Sequence, residues 1–273
     1  MMAAVNREAY AAAADKLAAD SASVTAAQLA TIADEILAVA RLLRGEPRLR
    51  RALTDPSRSA DDRAALFRSL VSGKLSVITA DTVATLVAGR WSAPAEVLDA
   101  TERLGADTVL AAADRDGKLS DVEDELFRFG QVVSGNGELA VTLSDPGAPV
   151  ERRAKLVEDL LKGKSTGATL QLVKIALEGF GGRNFDASLT KLVELTAAKR
   201  DRELAYVTAA KVLTDAEEQR LAAKLSDIYG RQVSLKVDVN PRVLGGLSVR
   251  VGSDLYDGTI LRRLNEARQA FAK

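Results

Sequence analysis

The chain has 273 residues, 47% hydrophobic, 28% charged and only 4% aromatic, a balance that supports buried cores and favours helices over sandwiches. Its 38 Lys and Arg equal its 38 Asp and Glu, so the chain as a whole exerts no general pull on nucleic acid. Without a cysteine or a histidine it can build no disulfide framework, no zinc site of the usual kinds, and no Ser-His-Asp or Cys-His nucleophile.

The first segment, MMAAVNREAYAAAADKL, carries Arg7, Glu8, Asp15 and Lys16, which break any apolar signal core. No apolar run reaches the roughly 18 residues of a membrane span, so direct membrane insertion is not expected. Thr25-x-x-Gln28 is a capping box that opens a helix with Leu29, Ile32, Ile36, Val39 and Leu43 on one face, stopping near Gly45. A short turn leads to Asp55-Pro56, then a helix ends at Gly73, another covers Thr82–Ala88 and ends at Gly89, and a further one runs from Pro94.

The pattern then recurs at an offset of about 90 positions. LTDPSRSADDRAALFRSLVSGK from Leu53 falls on LSDPGAPVERRAKLVEDLLKGK from Leu143, aligning Asp55-Pro56 with Asp145-Pro146, Arg63 with Arg153, and Gly73-Lys74 with Gly163-Lys164. The alignment needs no gap from Leu29–Gly89 to Leu119–Gly179. In the second copy Ser120-x-x-Glu123 reads as the capping box for Val122, Leu126, Phe129 and Val133, with a stop at Gly135 and a last helix from Asp186. Each copy reads as a small helical bundle.

Composition changes near Glu203. ELAYVTAAKVL reads as a strand. Thr214-x-x-Glu217 caps a helix with Leu221, Leu225 and Ile228, closed by Gly230. Val233, Leu235, Val237 and Val239 alternate as a half-buried strand, and Leu247, Val249 and Val251 form another. Asp257 is placed to cap a last helix with the stripe Ile260, Leu261, Leu264, Ala267 and Phe271. The expected fold is mainly α: two tandem, duplicated helical bundle units, residues 1–107 and 108–200, followed by a small α+β domain, 201–273.

Several partial motifs do not make sites. Gly163-Lys164-Ser165 resembles the end of a phosphate loop, but Glu158 stands where its first glycine belongs and a helix precedes it. The glycines around Asn136 also follow a helix, against the dinucleotide pattern. Asp114, Asp116 and Glu125 have calcium-loop spacing, but Gly117 is misplaced and Lys118 takes a ligand position. No cofactor or metal is expected. Arg41, Arg44, Arg48, Arg50 and Arg51 form a basic run opposed only by Glu46, whose counterpart in the second copy has lost nearly all its charge; it reads as a solvated helix end or as a docking surface for an acidic partner.

The C-terminal segment is similar to the signature of the delta subunit of F-type ATP synthase, the oligomycin sensitivity-conferring protein family. The residues that carry the likeness are Asn240, Gly245-Gly246, Arg250 and Gly252, then Asp257-Gly258-Thr259 and Arg263-Leu264. Tyr10-Ala11 resembles the family's opening helix, and the Asp-Pro loop and following helix agree. Leu261 departs from the basic residue many members carry, and the duplication adds length, as in the extended delta subunits of actinobacteria. The resemblance implies a non-catalytic stator subunit without cofactors, peripheral on the cytoplasmic face of the plasma membrane. Its helical part would bind the N-terminal helices of alpha subunits, with Tyr10, Ala11 and the five arginines as candidate contacts. Its C-terminal domain, with the signature residues, would hold the C-terminus of the b-subunit stalk, and nucleic acid is not an expected partner. A helical adaptor unrelated to ATP synthase is the alternative class; an enzyme using carboxylates alone would need a converging pair that no spacing suggests.

Overall fold

The computed structural model describes residues 4–201, 204–230, 233–240, 243, 245–251, 254–260 and 262. They divide into two compact units, Met1–Thr196 and Ala197–Lys273.

The first unit is all helical. Its first bundle comprises α1 (Ala4–Asp20), α2 (Ala26–Gly45), α3 (Pro47–Leu53), α4 (Ala60–Val71), α5 (Val77–Ala88) and α6 (Pro94–Arg115). The second adds α7 (Leu119–Ser134), α8 (Gly137–Ser144), α9 (Val150–Leu161), α10 (Gly167–Leu177), a 3-10 turn at Phe180–Gly182, and α11 (Phe185–Asp201). The Thr25 capping box is present in both of its hydrogen bonds. Ser120, by contrast, lies inside the first turn of α7 and caps nothing. Leu119 is buried and Lys118 N donates to Ala113 O, so the tight link from α6 starts the helix before Ser120. Where the sequence suggested only a turn before each Asp-Pro step, the short helices α3 and α8 form. Pro47 starts α3, where its missing N–H costs nothing, Asn136 caps α8 by accepting from Leu139 N, and the buried Leu53 and Leu143 anchor their ends.

The duplication extends to hydrogen bonds. Glu35 on α2 accepts from Ser76 N at 3.0 Å, the Ser76 hydroxyl and the Thr79 hydroxyl at the start of α5. Glu125 on α7 accepts from Thr166 N at 2.8 Å, the Thr166 hydroxyl and the Thr169 hydroxyl at the start of α10. Each carboxylate therefore ties two helices together and complements the positive end of the second. The carboxylate that had calcium-loop spacing is thus a helix clasp. Asp55 and Asp145 each accept from the backbone two residues on, and Gly73 and Gly163 share a positive φ of 69° and 70°.

The expected division at residues 107 and 108 falls inside α6. Nothing between Pro94 and Arg115 breaks a helix, and one continuous helix serves both bundles. Val97, Ala100, Leu104 and Ala112 belong to the first core, whereas Ala106, Val109, Leu110 and Ala113 belong to the second. Ala33 and Leu37 of α2 also join the second core. Gly105 permits this approach: a Cβ there would lie 2.6 Å from Leu37 Cδ2.

The second unit contains β1 (Leu204–Ala209), α12 (Asp215–Tyr229), β2 (Ser234–Val239), β3 (Leu247–Val251) and β4 (Asp254–Asp257). The sheet order is β2-β1-β3-β4, with β1 parallel to β2 and antiparallel to β3, and β3 antiparallel to β4. Ala205, Val207, Val249, Val251, Leu225 and Val233 form its core. The Thr214 capping box and the left-handed Gly230 stop are both present, but Ile228, expected on the apolar stripe of α12, is 64% exposed.

Candidate docking surfaces

The signature glycines make a backbone joint inside the second unit. Gly246 has φ +76°, and a Cβ there would lie 2.5 Å from Gly258 O and 3.2 Å from Thr259 Cα. Only glycine fits both the dihedral and the space. Gly258 N donates to Leu247 O and Ile260 N to Gly245 O, each at 3.0 Å, so the two halves of the signature meet. The Asp257 side chain accepts from Thr259 N at 3.0 Å, and the Thr259 hydroxyl, buried, accepts from Arg262 N at 3.3 Å. Thr259, not Asp257, is therefore the N-terminal cap; Asp257 ends β4, one residue too early for that role, and shapes the turn instead. Hydrogen bonds from Thr259 hold the Asp257 carboxyl below the usual carboxylate range. Asn240 N donates to Ala209 O, and Arg250 is exposed on β3. Gly252, Arg263 and Leu264 lie outside the described residues, as does the stripe from Leu261 to Phe271. Among the described residues, the exposed large apolar side chains of this unit are Val212, Ile228, Val239, Leu255, Tyr256 and Ile260.

The basic run does not present five equivalent cations. Arg44 reaches Glu102 of α6 at 2.6 Å and Glu178 after α10 at 2.9 Å, and Arg41 approaches Glu178 at 3.5 Å. Glu102 is almost wholly buried and also accepts from Gly181 N at 2.7 Å. Burial pushes its carboxyl above the usual range, while Gly181 N–H and Arg44 pull it back in part. Arg50 donates to the carbonyls of Leu43 and Arg44, closing the C-terminus of α2. Arg44 and Arg50 thus serve the fold, while Arg48 and Arg51 are exposed. Tyr10 also turns inward: its hydroxyl donates to Asp107, which pairs with Arg103 at 2.8 Å, and burial pushes the phenol far up. Ala11 remains exposed beside it.

Sequence reasoning missed Glu102 and Glu178, because nothing local marks a carboxylate whose partner lies on another helix. Glu178 also lines a groove of ≈ 710 Å³, together with Ala30 and Leu37 of α2, Val109 and Ala112 of α6, and Ile175 of α10. Gln171 Nε2 donates across it to Asp34 at 2.6 Å. Among the described residues no cluster of three or more acidic, His or Cys side chains could hold a metal, and no helix is long and apolar enough to cross a membrane.

A sequence model of the family described as "ATP synthase delta (OSCP) subunit" matches residues 7–108 and again 102–271. The chain belongs to the ATP synthase delta (OSCP) subunit family. Both matches include residues 102–108, which lie within the shared helix α6. A relative named ATP synthase subunit delta from Salinispora arenicola is 59% identical over 273 residues, covering both chains fully. One of the same name from Salinispora tropica is 57% identical, again over both chains fully. A third, from Streptomyces avermitilis, is 44% identical over 269 residues, covering 98% of this chain and 97% of the relative. The added helical copy is therefore shared along the whole length with delta subunits, as the family resemblance implied.

Proposed function

We propose that the protein is a non-catalytic stator subunit of the proton-translocating ATP synthase, linking the catalytic head to the peripheral stalk against rotor torque. The observation that carries this reading is the family match through both bundles and the mixed domain, with 59% identity over the full length of a delta subunit. The first bundle docks the N-terminal helices of alpha subunits through the exposed side of α1 around Ala11 and through Arg48 and Arg51. The second bundle is a spacer or meets another part of the head or stalk. The mixed unit holds the C-terminus of the b subunit, and the complex keeps the chain on the cytoplasmic face of the plasma membrane. For that contact Leu255 and Tyr256, exposed on the edge strand β4, and Ile260 are the best-placed apolar anchors. The signature glycines support it indirectly, by fixing β3 against the start of the final helix.

Native purification of the tagged full-length chain tests the reading, with alpha and b subunits expected to co-purify. Leu255→Glu should lose b and retain alpha, and Arg48→Glu with Arg51→Glu should weaken alpha binding and spare b. Copurification of neither subunit by the wild-type chain would favour the unrelated adaptor instead.

A further inference from the structure

A second cavity of ≈ 450 Å³ opens at the end of the first bundle. Arg51 and Thr54 line it from the end of α3, Asp55 and Arg58 from the Asp-Pro turn, and Trp91 and Ser92 from the link into α6. The Trp91 indole is pinned, its Nε1 donating to Leu86 O at 3.1 Å, so the wall it forms is fixed. Among the described residues the Arg51 guanidinium has no hydrogen bond or ion pair. Arg58 approaches Asp55 only at 3.9 Å. Asp55 itself is committed to Ser57, accepting from its N at 2.9 Å and its hydroxyl at 2.7 Å, so it neutralises neither arginine well.

The duplicated bundle supplies an internal control. At the matching positions it carries Val141 for Arg51, Ala148 for Arg58 and a glycine, Gly181 or Gly182, for Trp91. The same local fold, with the same Asp-Pro turn and the same buried leucine before it, forms without either cation or the indole. Arg51 and Arg58 are therefore not needed to build the bundle, and two exposed cations flanking a fixed aromatic wall are left without a structural task.

We propose that this cavity binds an acidic peptide segment that presents an apolar side chain. The carboxylates pair with Arg51 and Arg58, which accept the planar, bidentate geometry of a carboxylate. The apolar side chain rests on Trp91, an anchor of low conformational cost. The inference rests on the reading of the first bundle as a docking side and adds the place and the chemistry of one contact.

Trp91 is the only tryptophan in the chain, so its emission reports on this cavity alone. The test titrates the full-length protein with acetyl-Glu-Glu-Phe-Glu-Glu-amide, following indole emission and, in parallel, calorimetric heat. A saturable response is expected, weakening as salt rises and weakening at least about tenfold in Arg51→Val with Arg58→Ala. That variant borrows the second bundle's residues and should keep the wild-type helical spectrum. The Lys counterpart of the peptide should give no response. Absence of both emission change and heat overturns the proposal, as does an undiminished affinity in the double variant. An equal response to inorganic phosphate would reduce the site to a simple anion site and overturn it as well. Co-purification of alpha and b subunits with a chain that fails the peptide test would sink the cavity while leaving the stator reading standing.

Discussion

Arg44→Met asks whether the basic run holds the two bundles together. The change keeps the aliphatic stem but strands the Glu102 carboxylate, whose side chain is 3% exposed. Removing one partner of a buried pair costs about 3–5 kcal/mol, because an uncompensated charge remains. Two features lower that figure: Gly181 N–H still donates to Glu102 at 2.7 Å, and Arg44 is 30% exposed, so water can reach the vacated place. A loss of about 2–3 kcal/mol follows. For a folded unit of this size that corresponds to a fall in Tm of roughly 5–10 °C. The assay is thermal unfolding of the full chain by far-UV circular dichroism, with exposed Arg48→Met as the control, expected within about 0.5 kcal/mol of wild type. The second bundle has Ser134 and Leu192 at the matching positions, so its packing manages without the pair. Combining Arg44→Met with Glu102→Leu should therefore cost about 1–3 kcal/mol less than the sum of the two single changes. An Arg44→Met chain as stable as the Arg48→Met control, or strict additivity in the double variant, would refute the argument.

Gly246→Ala should destabilise the mixed unit by about 2–4 kcal/mol in urea unfolding, since both dihedral and backbone space oppose a Cβ. Gly245→Ala should destabilise as well, since its φ of +141° opposes a side chain even though its Cβ would meet only the movable end of Ile260; wild-type stability in either variant would contradict the joint described. Glu35→Ala and Glu125→Ala should each cost about 1–3 kcal/mol and agree within about 0.5 kcal/mol, because each removes the same three-donor clasp; a large inequality would show that the copies differ in their cores. The Glu102 carboxyl is pushed up by burial, so the folded chain takes up its proton at higher pH than the unfolded chain does. Its contribution to stability is fully present below the unfolded carboxylate value and is lost as pH rises through the folded value. Relative to Glu102→Gln, the wild-type chain should gain stability on acidification from neutral pH, read by urea unfolding across that range; a relative loss would mean that the Arg44 and Gly181 contacts outweigh burial.

Local signals were legible in the sequence. Thr25 with Gln28 and Thr214 with Glu217 form their boxes because a cap needs only residues three apart. The repeat was legible because its punctuation, Asp-Pro and Gly-Lys, is local too. What sequence missed is non-local or weakly patterned. Strand β4 is four residues long with an exposed centre and shows no alternation, so Asp257 read as a cap for want of the strand it ends. Ser120 has the right spacing, but the tight link from α6 moves the helix start ahead of it. Arg44 looked like one of five surface cations because its two carboxylates, Glu102 and Glu178, lie on distant stretches of chain. In the candidate stalk site the glycines were recognised, but only the fold shows that Gly246 packs against Gly258 and Thr259.

The deeper reason that no boundary appears near residue 107 is the way the repeat is joined. At an offset of about 90, α1 falls on the start of α6, and α6 falls on α11. One helix is therefore the last of the first bundle and the first of the second. Its 22 residues contribute to both cores, and α2 crosses to the second core beside Gly105. Two bundles joined by a loop could turn about that loop under load. Bundles that share a helix cannot turn without unpacking one core or breaking α6, and the Arg44–Glu178 pair, which runs from α2 to the end of α10, resists the same motion. For a subunit whose task is to resist torque, adding length by sharing a helix extends the chain's reach without adding a hinge.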